Sequence, residues 1–277
     1  MNSLPQECQN TGCPRRKRAW LWRFRRPKGT WLNQSWYCCL ECFEEGATES
    51  FSRFSLKADR GRATRYRLPL GLLLLSKGLI SSQHLQDALK AQRESQRGRL
   101  GEWLRQEGIL TEEQLTSALG VQWGLPVFHL AESTGFAECA AMAPLPIMDA
   151  SRMALVHYMP TSHTLYTAFS DGIDFAALRA LEQILACNTQ PCVIGESEMT
   201  EALDQMRRLP RPAETVLECP GNPQELAATT REWMESNKAD QARVASCSEY
   251  VWVRIEAAQR TGHLLFHLPE ARPQVIP

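Results

Sequence analysis

The sequence predicts an α+β protein of about two domains. It is laid out as a small cysteine-rich head, a duplicated helical subdomain, an α/β subdomain and a C-terminal helix with a β-hairpin. Three observations predict this. One pattern of leucines and glycines is written twice between residues 70 and 122, offset by thirty positions. Five of the ten cysteines fall within the first 42 residues. Between residues 140 and 208, apolar runs of strand length alternate with runs of helical period.

Bulk composition narrows the class. With 277 residues and 43% apolar content the chain is an ordinary globular protein. Its zero formal net charge hides an asymmetry: residues 1–68 carry 14 Lys and Arg against 6 Asp and Glu, and the rest carries 17 against 25. A basic head on an acidic body points to modules with separate partners. The N-terminus lacks the apolar core of a secretory signal. The longest apolar run, Leu68 to Leu75, is far too short to span a bilayer. Cysteines without a signal peptide indicate a reducing, cytoplasmic setting.

In the head, residues 1–50, Cys8 and Cys13 bracket Gln9-Asn10-Thr11-Gly12, and Cys39 and Cys42 form a C-x-x-C with Cys38 adjacent. Two short cysteine loops supply the four soft ligands of a tetrahedral zinc. Spacing leaves Cys38 and Cys39 both open. The commoner C-x-x-C loop selects Cys39, so the expected ligands are Cys8, Cys13, Cys39 and Cys42. Between the loops, Ala19 to Phe24 and Thr30 to Tyr37 hold aromatic, strand-like runs around the turn Arg26-Pro27-Lys28-Gly29. Phe43-Glu44-Glu45 opens a short helix. Knuckle, hairpin and C-x-x-C together resemble a zinc-ribbon or treble-clef module. So small a head buries little apolar surface, which makes the zinc structural.

The run Arg15-Arg16-Lys17-Arg18, with Arg23, Arg25, Arg26 and Lys28, interleaves with Trp20, Trp22 and Phe24. Cations and rings in alternation suit nucleic acid. They equally suit a solvated face or a dock for the acidic body, and nucleic acid is not the expected partner. Residues 51–68 read as a basic linker.

The repeat occupies residues 69–126. Each copy opens with a short helix, Leu70 to Ser76 and Leu100 to Gln106. Gly78 and Gly108 follow, where a left-handed residue closes a helix. Ser81 and Thr111 cap second helices, and Thr111 with Gln114 has capping-box spacing. Leu85, Leu89 and Gln92 share one helix face, repeated as Leu115, Leu119 and Gln122. Most of these leucines are expected to form core. A duplicated helical unit also builds a pseudo-two-fold site, suited to a two-fold symmetric ligand.

The tandem pattern R-L-G-x-x-L-x-x-x-G, six residues, then L-x-x-x-L-x-x-Q, resembles the MshE-type N-terminal domain of type II secretion and type IV pilus assembly ATPases. The second copy matches at all eight positions: Arg99, Leu100, Gly101, Leu104, Gly108, Leu115, Leu119 and Gln122. The first matches at seven: Leu70, Gly71, Leu74, Gly78, Leu85, Leu89 and Gln92. The resemblance implies that these residues bind cyclic di-GMP, each copy holding one half of the ligand. Glycines allow close backbone approach, an Arg stacks on guanine or forks onto an oxygen, and leucines exclude water. The departure is Pro69, where the pattern has Arg.

Residues 127–209 read as the α/β remainder of the same domain, in the order helix, strand, strand, helix, strand, helix. Residues 215–277 read as a separate module: a helix over Gln224 to Ala245, broken near Asn237, then strands Tyr250 to Ile255 and His263 to Leu268. The sequence holds no G-x-x-x-x-G-K-[ST] phosphate loop, and no nucleophile elbow, paired-carboxylate motif or dinucleotide fingerprint. The expectation is a non-enzymatic cyclic di-GMP adaptor with structural zinc. The alternatives are a scaffold that docks on secretion or pilus proteins without ligand, and a zinc-ribbon nucleic-acid binder.

Overall fold

The computed structural model describes residues 7–14, 29–56, 68–95, 98–132, 135–258 and 260–269. The basic, aromatic run 15–28 and most of the expected linker, 57–67, lie outside them. Along the chain the elements are β1 (Thr30–Leu32), β2 (Ser35–Tyr37), α1 (Leu40–Ser52), α2 (Leu70–Ser76), α3 (Ser82–Ser95), α4 (Leu100–Gln106), α5 (Glu112–Trp123), α6 (Phe136–Ala140) and α7 (Leu145–Ser151). There follow β3 (Met153–Met159), β4 (Thr164–Phe169), α8 (Phe175–Leu185), β5 (Asn188–Val193), α9 (Glu196–Arg208), β6 (Ala213–Glu218), α10 (Pro223–Ser236), β7 (Gln241–Cys247), β8 (Tyr250–Ala257) and β9 (Arg260–His267). The class is α+β, as expected. No described helix is long and apolar enough to cross a membrane. The chain divides into two compact units, one of 62–175 with 188–209, the other of 1–61, 176–187 and 210–277.

In the first of these units the two repeat copies fold alike. Gly78 and Gly108 adopt φ +67° and +68°, left-handed angles at which an L side chain is strained. They end α2 and α4 so that Leu79 N donates to Leu74 O and Ile109 N to Leu104 O, both at 3.0 Å. Ser81 and Thr111 then accept from His84 N and Gln114 N at 3.1 and 3.2 Å, capping α3 and α5. Leu74, Leu104 and Ala118 are wholly buried, with Leu73, Ile80, Ala88 and Leu110 around them. The α/β part is a three-stranded sheet, β3-β4-β5, antiparallel then parallel. The segment after α5 pairs with its edge: Phe128 N donates to Val193 O at 2.8 Å and Val193 N to Pro126 O at 2.9 Å. Glu112 of α5 accepts from Ser197 N and Oγ at the start of α9. These contacts fasten the repeat to the sheet as one unit.

The other unit corrects the expected division at the chain ends. A six-stranded sheet runs β2-β1-β7-β8-β9-β6. The head hairpin joins it through parallel pairing, Trp31 opposite Gln241 and Leu32 opposite Ala242. Asn33, at φ +54°, sits in the hairpin turn. Its N–H donates to Ala242 O and its Oδ1 accepts from Val244 N. Head and C-terminal segment therefore share one sheet and one core. Phe43, Ala47 and Phe51 of α1 and Leu226, Ala227 and Met234 of α10 cover Val244, Val251, Val253, Leu264 and Phe266. The helix expected over Gln224 to Ala245 ends at Ser236, and Gln241–Cys247 is a strand. Lys238 turns the chain at φ +51°, and Ala242, Val244, Ala245 and Cys247 are buried in the middle of a sheet. Sheet packing overrides local helical preference there. Residues 176–187, which hold all of α8 but its first residue, belong to this unit as well: Gln183 Nε2 donates to Val244 O and Arg243 Nη1 to Ile184 O, both at 2.8 Å.

Candidate functional site

The repeat residues divide by position into packing and cleft. Leu74 and Leu104 are fully buried and shape the core alone. Gly71 and Gly101 let helices touch: a Cβ on Gly71 would fall 2.7 Å from Leu85 Cδ1, and one on Gly101 would fall 2.8 Å from Leu115 Cδ1. Leu85 and Leu115 thus pack on glycines. Leu89 is half-buried on α3. The two glutamines cross between copies. Gln92 Nε2 donates to Gly98 O at 2.9 Å, and Gln122 Nε2 donates to Leu68 O at 2.7 Å. Gly98 and Leu68 occupy equivalent places in the repeat, so each copy's glutamine fastens the start of the other.

A cleft of about 300 Å³ opens beside the second copy, with Leu70 of the first copy reaching into it. Leu70, Leu100, Gly101, Leu119 and Gln122 come from the expected set, with Trp123 beside them. Arg99 enters from the N-terminus of α4. Its guanidinium pairs with the Asp171 carboxylate, and Nη1 donates to Asp171 O at 2.6 Å. Asp171, Gly172 and Ile173 form the remaining wall. Arg99 and Asp171 keep 39% and 32% of their side-chain surface exposed, so a ligand reaches both. Sequence reasoning missed the 171–173 wall and Trp123. Nothing in a local pattern says that Asp171-Gly172, about seventy residues on, faces the repeat. The cleft offers one cation, one carboxylate and apolar walls. This suits a flat, polar-edged ring with an anionic tail. At the Arg99-equivalent place in the first copy, Pro69 begins α2 with φ −55° and ψ 133°.

The cysteines of the other unit gather at a second site. The sulfurs of Cys8, Cys13, Cys38 and Cys42 all lie within 4.8 Å of one another, and all four residues are buried. Cys38 Sγ is 3.6 Å from Cys13 Sγ and 3.8 Å from Cys42 Sγ. A zinc–sulfur bond of about 2.3 Å in a tetrahedron sets sulfur–sulfur edges of about 3.8 Å. The cluster thus gathers Cys38 in place of the expected Cys39. Cys39 is the extended N-cap residue of α1, and its sulfur lies 3.9 Å from that of Cys38, beside the cluster of four. Cys42 stands in the first turn of α1 and turns back toward Cys38. Asn10 shapes the opposing loop, its Oδ1 accepting from Gly12 N at 2.8 Å and its carbonyl from Cys13 N at 3.2 Å. Gln9 N donates to Trp36 O and ties that loop to β2. Burial, above all, pushes the Cys42 thiol up to about 12. A cation among the sulfurs reverses that preference.

No protein-family model matches the chain. The type IV pilus assembly ATPase PilB of Myxococcus xanthus (strain DK1622) is 28% identical over 138 residues, 49% of this chain and 24% of PilB. The match spans about a quarter of that relative's length. Among solved structures, MshE with cdg is 30% identical, covering 50% of this chain and 99% of that one, with a TM-score of 0.44. This chain belongs to the family of MshE-type N-terminal domains of secretion and pilus assembly ATPases. Family likeness extends over half of its length. The XpsE N-terminal domain is 17% and 18% identical in two solved structures, covering 49% and 51% of this chain and 92% and 98% of those, with TM-scores of 0.37 and 0.31.

Proposed function

We propose that the chain is a cytoplasmic, non-catalytic regulatory protein whose MshE-type domain binds cyclic di-GMP, and whose second unit is held by a structural zinc. One observation carries the reading: the arginine of the fully matching repeat copy stands in a cleft walled by leucines of the repeat, with Asp171 beside it. The relative at 30% identity was solved with cdg, cyclic di-GMP. The ligand's phosphates suit a guanidinium, and its purine faces suit leucine walls. Asp171 holds Arg99 in place and is itself an acceptor for guanine N–H groups. The reading as a non-enzyme rests on the missing phosphate loop in the sequence. Ligand binding would shift how the protein engages secretion or pilus assembly proteins.

Zinc fits the donor set. Four thiols at tetrahedral spacing, buried and unpaired by any disulfide, would hold it through Cys8, Cys13, Cys38 and Cys42. The ion supplies cross-linking between the N-terminal knuckle and the start of α1.

The test is calorimetric titration of the whole chain with cyclic di-GMP beside Arg99→Ala. Micromolar or tighter binding that Arg99→Ala abolishes supports the sensor. If the folded protein takes up no ligand and still captures a purified pilus or secretion ATPase, a ligand-free scaffold replaces it.

A further inference from the structure

Resting on the sensor reading, we infer that the site grips one guanylyl half of its ligand and has lost discrimination for the closed, two-fold ring. The two repeat copies agree in their left-handed glycines, their caps, their glycine–leucine contacts and their crossed glutamines. Among the eight motif positions they part company at one. The second copy brings the Arg99 guanidinium into the cleft. The first has Pro69 there, which offers neither a cation nor an N–H. A second asymmetry reinforces the first. Asp171, Gly172 and Ile173 wall the Arg99 half, and they lie outside the duplicated segment, so the duplication supplies no second copy of them.

The consequence follows from how a rigid ligand gains affinity. Ring closure lowers the ordering cost of the second half only when the protein holds that half. A half that meets no charged anchor among the described residues gains little from closure. A linear guanylyl dinucleotide with the same bases and phosphates then binds nearly as well as the ring. Returning a charge-assisted hydrogen bond to the first copy is worth about ten- to a hundred-fold in affinity. Pro69 is exposed and its backbone is extended, as is that of Arg99, φ −110° and ψ 154°. An arginine is therefore accommodated at residue 69.

The experiment titrates the full chain with cyclic di-GMP and with linear 5′-phosphoguanylyl-guanosine, in wild type, Pro69→Arg and Pro69→Lys. Wild type binds the two ligands within about fivefold of each other. Pro69→Arg tightens the ring by at least about tenfold and opens a gap of about tenfold over the linear form, and Pro69→Lys does so to a smaller degree. A wild-type preference for the ring above about tenfold overturns the inference and leaves the sensor reading standing. So does a folded Pro69→Arg, checked by circular dichroism, whose affinity for the ring stays within about twofold. No binding of either ligand to wild type or to a folded variant defeats the sensor reading itself, and the inference with it.

Discussion

Gln122 lends its side-chain amide to the carbonyl of Leu68, 54 positions earlier, at 2.7 Å. Gln92 does the same for Gly98 at 2.9 Å. This exchange ties the entry of α2 to α5 and the entry of α4 to α3, and those entries carry Leu70 and Leu100 into the cleft. Gln92→Ala and Gln122→Ala are each expected to cost about 0.5–1.5 kcal/mol in urea unfolding. Each is also expected to weaken cyclic di-GMP binding, because the leucine walls lose their register. Unchanged stability in both variants would remove the crossed glutamines from any structural role.

Gly101 gives a sharper test of the packing. Its missing Cβ makes room for Leu115 Cδ1 and Cδ2, which would stand at 2.8 and 3.1 Å. Gly101→Ala overpacks a buried seam, at a cost of about 1–3 kcal/mol. Trimming the neighbour with Leu115→Val is expected to recover part of that loss. Gly108→Ala fails for another reason, the left-handed φ of +68°, and Leu115→Val gives it no relief. Thermal melts of the four variants separate steric crowding from backbone strain.

What was legible in the sequence follows from range. The repeat is a local pattern, and its caps, its left-handed glycines and its four helices stood where periodicity and turn chemistry put them. The cleft was half legible: Arg99 and the leucines belong to the motif, whereas Asp171 arrives through tertiary folding. The chain ends were read as two modules because nothing local tells β1 that its neighbour is β7. For the same reason, helix-compatible residues at Gln241–Cys247 did not announce a central strand. Cys38 and Cys39 are indistinguishable by spacing, and only the folded head shows that Cys38 is the one gathered with Cys8, Cys13 and Cys42.

That decision yields a prediction for metal content. Cys38→Ser is expected to lower bound zinc well below one equivalent, and to lower the melting temperature with it. Cys39→Ser is expected to leave both unchanged. Elemental analysis of protein purified without chelator gives the answer. A full complement in Cys38→Ser, with loss in Cys39→Ser, would reverse the assignment.

His263 makes the C-terminal sheet sensitive to acid. It is fully buried on β9, and Trp252 Nε1 donates to its Nδ1 at 3.1 Å. Burial first, then Arg254 and Arg211, lowers its pKa to about 3 from 6.5. The unfolded chain therefore binds a proton between those values that the folded chain refuses. The contribution to stability is complete above about pH 6.5 and is lost progressively as the pH falls toward 3, on the order of 5 kcal/mol in all. Urea unfolding at pH 7 and pH 4.5, compared with His263→Asn, isolates this share. An equal pH slope in the variant would assign the acid sensitivity elsewhere.

The parallel seam between Trp31 and Gln241 also governs how this chain comes into being. At synthesis rates of roughly 5–20 residues per second, β1 leaves the ribosome about ten to forty seconds before its neighbour exists. Through that interval the thiol-bearing knuckle has no sheet to lie on, and the repeat is already free to fold. The head hairpin thus reaches its place in the sheet only near the end of synthesis, whereas the repeat has its packing partners within its own segment.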